Sequence, residues 1–368
     1  MQRGRANHVK GIFVVSLALA LLLPWGIAKS MQVQDGVYVL TASPAIPSVH
    51  KIMAPAMTVF AKNVEEQSKG RVKINFVWGS ALHKLAEGFE AIRNDVTDIT
   101  YTQTFYYPGE FPLSQLSALP YTFPNPVVTS IVAENLYPKY LKPEFEKRGA
   151  KLLFWLNTGP FALYTRKPIR TIGDLQGQKI RGAGTMQNQI LKLLGAVPTS
   201  VGSPEVYTAL QRGVMDGTMF AISSAAGYKF YEVTKYVTQA SFTQIEVPAS
   251  INPRTLAALP KDIQAIIYAE ARLAGIRGAM LYHEEDEKAV GEFRQHGAEV
   301  VTASPELAAS LKKVLNPIRQ KFIDDNEKEG RPAKQMLADL DALVEKYSKM
   351  SFQEILELQR TKPVQGIW

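Results

Sequence analysis

Cysteine is absent from the 368 residues, which excludes disulfide staples, thiolate metal sites, cysteine nucleophiles and the lipidated cysteine of a bacterial lipoprotein. Histidine is scarce too. His8, His50, His83, His283 and His296 are scattered with no two at ligand spacing, so no tight zinc or iron site is expected, and no metal or cofactor. His283 opens the run His-Glu-Glu-Asp-Glu-Lys but lacks the second histidine of an H-E-x-x-H motif, and this run reads as a solvated helix face. No G-x-S-x-G elbow and no G-x-x-x-x-G-K phosphate loop occurs. Glu87, Glu205 and Asp216 are carboxylates that could pair as a hydrolytic dyad, yet nothing in their spacing favours it. Asp216 reads instead as the cap of a turn into a strand, and Glu205 as the first turn of a helix opened by Pro204. The expectation is a protein that is not an enzyme.

Charge of one sign is also modest. The formal net charge is +8, but Arg3, Arg5, Lys10 and Lys29 lie in the first thirty residues with no acid beside them, and the rest is only mildly basic. The remaining cations are interspersed with Asp and Glu, without the basic, aromatic-interleaved stripe that nucleic-acid binding requires. One long apolar run exists, 12–23, preceded by basic residues and followed by the small-residue end Ala28-Lys-Ser30. This is the layout of a secretory signal peptide over 1–30. The alternative is an uncleaved anchor, for which the run falls short of the ~20 residues of a spanning helix. After cleavage the chain is expected not to be membrane-embedded.

What is present is an α/β pattern longer than one typical domain, which predicts two lobes and a cleft between them. Residues 37–41, 72–76 and 98–102 read as strands, with helices over 51–67 and 82–94 between them. Gln103, Phe105 and Tyr106 leave the carboxyl end of the third strand, where ligand-contacting residues of open α/β sheets reside. The alternative is that these aromatics simply pack the sheet edge. Helices are expected over 125–142 and 143–148, and strands over 151–157 and 162–165. A strand over 178–181 ends at Arg181. Gly182-Ala-Gly184 then turns the chain, and Thr185 reads as the N-cap of a helix over 186–194. The order continues strand, helix, strand through 197–201, 204–212 and 216–220. An anion at this strand end would meet a helix N-terminus and a guanidinium whose planar fork matches a carboxylate. From Pro260 an uninterrupted helical period runs to Gln295, on the order of 50 Å at 1.5 Å per residue. Three further helices are expected near 305–326, 333–346 and 351–358.

The pattern Asp174-Leu-Gln-Gly-Gln-Lys-Ile-Arg181, then Leu194-Gly-Ala196, then Glu205-Val-Tyr-Thr-Ala-Leu-Gln-Arg-Gly-Val-Met-Asp-Gly217 resembles the solute-binding proteins of tripartite ATP-independent periplasmic (TRAP) transporters, the dicarboxylate-binding-protein-like family. Lys69-Gly-Arg-Val72, Gly79-Ser-Ala-Leu82, Pro108-Gly-Glu-Phe-Pro-Leu113 and Tyr231-Glu-Val-Thr-Lys-Tyr236 follow in the family's order over nearly the whole mature chain. The resemblance implies a two-lobed periplasmic binding protein-like fold, two α/β sandwiches joined by crossover strands and a long bracing helix, with the ligand cleft between the lobes. It implies a first lobe of 31–158 plus 247–286 and a second of 159–246 plus 287–368. The implied role is an extracytoplasmic receptor in the periplasm, closing over an organic acid and delivering it to the small and large membrane subunits of a TRAP permease. The alternative is a ligand sensor docking on a signalling receptor.

By the same resemblance Arg181 occupies the position of the family's carboxylate-binding arginine. The competing reading is a surface arginine paired with Asp174 or Glu205. Phe220 stands where sialic-acid- and ectoine-type members carry Asn, Ser203 or Pro204 replaces a Phe found in some members, and Phe161 falls near the second arginine of sialate binders. Phe161, Phe220 and Phe105 or Tyr106 would form an apolar wall suited to an aromatic or branched monocarboxylate. They could equally fill core positions.

Overall fold

The computed structural model describes residues 31–107 and 109–368; residues 1–30, expected as a signal peptide, and Pro108 lie outside the described residues. In chain order the first lobe begins with β1 (Gln32–Gln34), β2 (Val37–Ala42), α1 (Met53–Gln67) and β3 (Val72–Phe76). It continues through α2 (Gly88–Arg93), β4 (Ile99–Tyr101), α3 (Pro126–Leu136), α4 (Lys142–Lys147) and β5 (Lys151–Phe154). The second lobe opens with β6 (Phe161–Thr165), β7 (Lys179–Arg181), α5 (Gly184–Leu193) and β8 (Val197–Thr199). Then come α6 (Val206–Gln211), β9 (Gly217–Ala221), α7 (Ile222–Gly227) and β10 (Tyr236–Gln239). The chain returns to the first sheet as β11 (Ala249–Ile251) and α8 (Pro253–Ala258), then runs along α9 (Lys261–Gln295) to β12 (Glu299–Thr302). Four helices close it: α10 (Pro305–Leu315), α11 (Pro317–Lys328), α12 (Ala333–Tyr347) and α13 (Phe352–Thr361).

Two separate sheets result. One has the order β1-β2-β4-β11-β5, with β3 also paired to β2; the other has the order β12-β10-β6-β9-β7-β8. Parallel pairs β7·β8 and β7·β9 come from the strand-helix-strand repeats, while β6 runs antiparallel to both β9 and β10, and β10 is parallel to β12. The two crossovers pair with each other, since Asn157 bridges Glu246 and the Phe161 N–H donates to the Thr243 carbonyl (2.9 Å).

The bracing helix forms at its expected length because its apolar face, including Ile263, Ile267, Ile276 and Phe293, is buried without a breaker along the way. Its first half packs on α1, α3 and β5, and its later part on α7 and β12.

Several expectations are corrected. The helix over 82–94 is a short 3₁₀ turn (Leu85–Glu87) followed by α2. The helix over 125–142 changes pitch at Tyr137–Leu141, a π-type segment holding Pro138, where a missing N–H interrupts the regular ladder. The helix over 305–326 is two helices, because Pro317 opens a new one directly after Asn316. Thr185 is not a cap: α5 starts one residue earlier, at Gly184, without a side-chain cap. The end of the 287–368 segment, expected with the second lobe, lies against the first. There α12 packs on α3, α13 on α9, and the Trp368 indole N–H donates to the Leu152 carbonyl (2.6 Å).

Candidate functional site

Strand β7 carries Arg181 at its carboxyl end, in register with Thr199 on β8 and Thr218 on β9. The residue is only 3% exposed. One edge of its guanidinium is fixed by neutral acceptors: Nε donates to the Val201 carbonyl (3.0 Å) and Nη2 to Ser203 Oγ (3.2 Å). Its central carbon lies 5.2 Å over the ring of Phe220, a favourable placement for a desolvated cation. Burial pulls its pKa down to about 10, partly offset by Tyr106, Tyr228 and Glu205, so it stays charged at neutral pH.

Among the described residues Arg181 has no carboxylate in an ion pair. Asp174 instead accepts from the Arg170 and Thr171 N–H groups. Glu205 is exposed and contributes only its field. A buried charge without a countercharge is costly.

The remaining candidates surround it unevenly. The turn Thr104–Tyr106, at the end of β4, brings Phe105 against the start of α5. Gly184 has φ +79°, and a Cβ added there would lie 3.3 Å from the Phe105 carbonyl oxygen. The first lobe therefore touches the second three residues beyond Arg181. Phe105 and Tyr106 pack with centroids 4.3 Å apart and ring planes tilted by 38°, and burial raises the Tyr106 pKa against the opposing pull of Arg181. Phe161 meets Phe220 at 6.2 Å and stands one ring further from the guanidinium. Phe220 also packs edge-on against Phe230 (5.1 Å), so it is both a core residue and the platform under Arg181. Gln103 is buried at the start of the turn, and no described contact joins it to Arg181.

Tyr228 is a residue that sequence reasoning missed. It ends α7, lies edge-on to Phe220 at 5.8 Å, and has a pKa raised by burial against the pull of Arg181. The signal was available in principle, since α7 follows the carboxyl end of β9 just as the Thr104–Tyr106 turn follows β4. Tyr228 also borders a cavity of about 240 Å³ between the lobes, reached by His50 and Lys51 from one side and Glu285 and Lys288 from α9. His50 Nδ1 accepts from the Ile52 and Met53 N–H groups, and burial holds its pKa down at about 4, so the ring is neutral.

Among the described residues no cluster of three His, Asp or Glu side chains could hold a metal ion. Two of the carboxylates considered for a dyad are tied to backbone, Glu87 to the Lys84 N–H (2.9 Å) and Asp216 to the Lys179 N–H (2.8 Å). No described helix is long and apolar enough to cross a membrane. The geometry provides one preformed cation, an aromatic surround from both lobes and a cavity at their seam, which is a binding arrangement. Arg181 does not line that cavity itself; Tyr228 is the residue shared between the cavity and the aromatic group around Arg181.

Residues 45–326 match the family described as bacterial extracellular solute-binding protein, family 7. A solute-binding protein of Verminephrobacter eiseniae (strain EF01-2) is 29% identical over 252 residues, 67% of this chain and 74% of its own length. The 2,3-diketo-L-gulonate-binding periplasmic protein YiaO of Escherichia coli (strain K12) is 25% identical over 264 residues, 71% of this chain and 80% of its own. The fold matches a TRAP solute-binding protein from Rhodoferax ferrireducens T118, solved with copurified benzoate, at TM-score 0.80 and 22% identity, covering 84% of this chain and 98% of the other. It also matches a TRAP periplasmic solute-binding protein from Bordetella bronchiseptica, solved with (R)- and (S)-mandelate, at TM-score 0.78 and 27% identity, covering 84% and 99%. With the family matched over most of the chain and the two-lobed fold shared, the chain belongs to the family 7 extracellular solute-binding proteins, the TRAP solute receptors, which bind rather than transform their solutes.

Proposed function

We propose that this receptor captures an organic monocarboxylate in the periplasm, holds it at Arg181 between the closed lobes, and delivers it to the small and large membrane subunits of a TRAP permease. The observation that carries the reading is a fully desolvated guanidinium with no acidic partner among the described residues, its far edge pinned by Val201 and Ser203. Such a group is preorganised for a two-pronged bond to a carboxylate. Phe105 and Tyr106 from one lobe and Phe220 and Tyr228 from the other supply flat apolar surface for the rest of the solute. Phe161 supports this wall from behind, and Gln103 contributes by preceding the Thr104–Tyr106 turn as its N-cap residue.

Two comparison structures were solved with aromatic acids, benzoate and mandelate. That agrees with the aromatic surround here and supports an aryl acid over a sugar acid. A solute touching both lobes at once favours closure by its differential contacts alone, with no chemical step.

The test is calorimetric titration of the mature protein with benzoate, mandelate and a branched short-chain acid, alongside mass spectrometry of any small molecule released on denaturation. Arg181→Ala should lose ~3 to 5 kcal/mol of binding. Unchanged affinity in that variant would remove Arg181 from the site, and stabilisation by sugar acids alone would overturn the aromatic preference.

A further inference from the structure

Helix α1 begins without a cap of its own. Its N-cap residue is Ile52, whose side chain accepts nothing, and no acidic residue stands in its first turn. The missing acceptor comes from two places earlier in the chain: His50 Nδ1 takes the N–H groups of Ile52 (3.3 Å) and Met53 (3.2 Å). Both partners can only donate, so Nδ1 carries a lone pair and the ring proton sits on Nε2. A second proton, on Nδ1, would face two N–H groups and the positive end of a helix. Burial acts in the same direction and holds the pKa at about 4. His50 is therefore a neutral ring with one donor, Nε2–H, which makes no hydrogen bond among the described residues.

This ring borders the cavity of about 240 Å³ that Tyr228 shares with the aromatic group around Arg181. His50 comes from the first lobe and Tyr228 from the second, so a solute touching both makes contact across the seam. Pro47, Ile52 and Ala289 give the cavity apolar wall. Its charges balance: Lys51 and Lys288 stand against Glu285 and Glu292, and Lys288 is paired with Glu285 at 2.6 Å. Such a lining favours neither a second carboxylate nor an ammonium group. It suits an apolar body bearing a neutral polar atom, for which His50 and Tyr228 are hydrogen-bonding side chains.

We propose that His50 is a specificity-determining contact of the solute site: with the carboxylate held at Arg181, the His50 Nε2–H donates to a neutral oxygen at the far end of a longer aryl acid. This builds on the reading of Arg181 as the anchor, and it narrows the solute class to aryl monocarboxylates that carry an acceptor remote from the carboxylate. Benzoate, with nothing beyond its ring, forgoes the bond. Because His50 belongs to the first lobe, its bond is one of the differential contacts by which a solute favours closure.

Calorimetric titration of the mature protein with two matched pairs tests this: phenylacetate against para-hydroxyphenylacetate, and phenylpropionate against its para-hydroxy counterpart. In at least one pair the parent should bind the hydroxylated acid about three- to tenfold more tightly, the worth of one neutral hydrogen bond. His50→Asn keeps an oxygen where Nδ1 accepts, so α1 stays capped, but its side chain ends short of Nε2. Its thermal midpoint should match that of the parent while the preference disappears. His50→Ala should lose the preference and the cap together, with a lower midpoint. In ligand-free protein carrying isotope-labelled histidine, nitrogen NMR should show a bare Nδ1 and a protonated Nε2 for the ring whose signal is missing from His50→Asn. A parent that binds both members of each pair equally, an Asn variant that still discriminates, or the opposite tautomer would each overturn the proposal. Failure of the anchor looks different. Arg181→Ala should weaken both members of a pair, whereas His50→Asn should weaken only the hydroxylated one. Undiminished phenylacetate affinity in Arg181→Ala removes the anchor, and a parent that does not discriminate removes the His50 contact and leaves the anchor standing. Should neither member of either pair bind, the aryl-acid reading and the His50 contact fall together.

Discussion

Glu134 and Arg272 form an ion pair at 3.4 Å with both side chains fully buried, joining α3 to the bracing helix inside the first lobe. Arg272 also donates to the Leu153 carbonyl and lies 5.1 Å over the Tyr268 ring. Burial raises the Glu134 pKa and Arg272 pulls it back. The pair is incompletely satisfied: Glu134 Oε2 and Arg272 Nε and Nη1 have no hydrogen-bond partner among the described residues. Removing one partner, as in Glu134→Leu, should therefore cost ~3 to 5 kcal/mol, whereas Glu134→Leu with Arg272→Met should recover most of it. Urea denaturation of the two single variants and the double variant checks this; equal losses that simply add would show that the two charges are not coupled.

Glu246 lies on the second crossover, where it accepts from Thr104 Oγ1. Burial pushes its pKa up from 4.5 to about 7. The sign follows from linkage: a carboxyl harder to ionise when folded favours the folded state at low pH, and this contribution is lost as pH rises through the folded value. Between pH 4.5 and 7 the loss amounts to about 3 kcal/mol at most. Glu246→Gln should be the more stable protein at pH 8, and the gap between variant and parent should close toward pH 5. Denaturation midpoints at three pH values test this, and a gap independent of pH would contradict it.

Gly184 combines a left-handed backbone with close approach to Phe105. Gly184→Ala should cost about 1 kcal/mol from the positive φ alone, and its methyl presses on the opposite lobe. Affinity for an aryl acid should fall along with stability. A thermal unfolding and titration series resolves the two effects; undiminished affinity would mean that this contact does not form part of closure.

Much of this architecture is legible in the sequence where the physics is local. The bracing helix follows from an apolar period without breakers, and the succession β7, α5, β8, α6, β9 follows from short extended runs alternating with helical ones. Arg181 stands out because its place at a strand end comes from that same succession. Local errors have local causes: 305–326 reads as one helix because the apolar spacing hardly changes across Asn316-Pro317, and Thr185 reads as a cap because the positive φ of Gly184 is not visible in the letters. Long-range placements are another matter. The packing of α12 on α3, the hydrogen bond from the Ser223 N–H to Asp286 on α9 and the position of Tyr228 beside Phe220 depend on segments brought together only by the fold, and no pattern within any one of them announces its partner.

Arg181→Lys separates charge from geometry at the proposed anchor. Lysine keeps the positive charge but offers a compact ammonium without a planar fork. It also forfeits the Nε bond to Val201 that fixes the guanidinium over Phe220. If the fork makes two parallel bonds to a carboxylate, losing one charge-assisted bond should weaken benzoate or mandelate binding by about 10- to 100-fold, with Arg181→Ala weaker still. If charge alone mattered, Lys would bind nearly as well as Arg. Titration of both variants under one buffer and salt condition distinguishes the cases, since ionic strength acts on the bare charge more than on the buried, hydrogen-bonded fork.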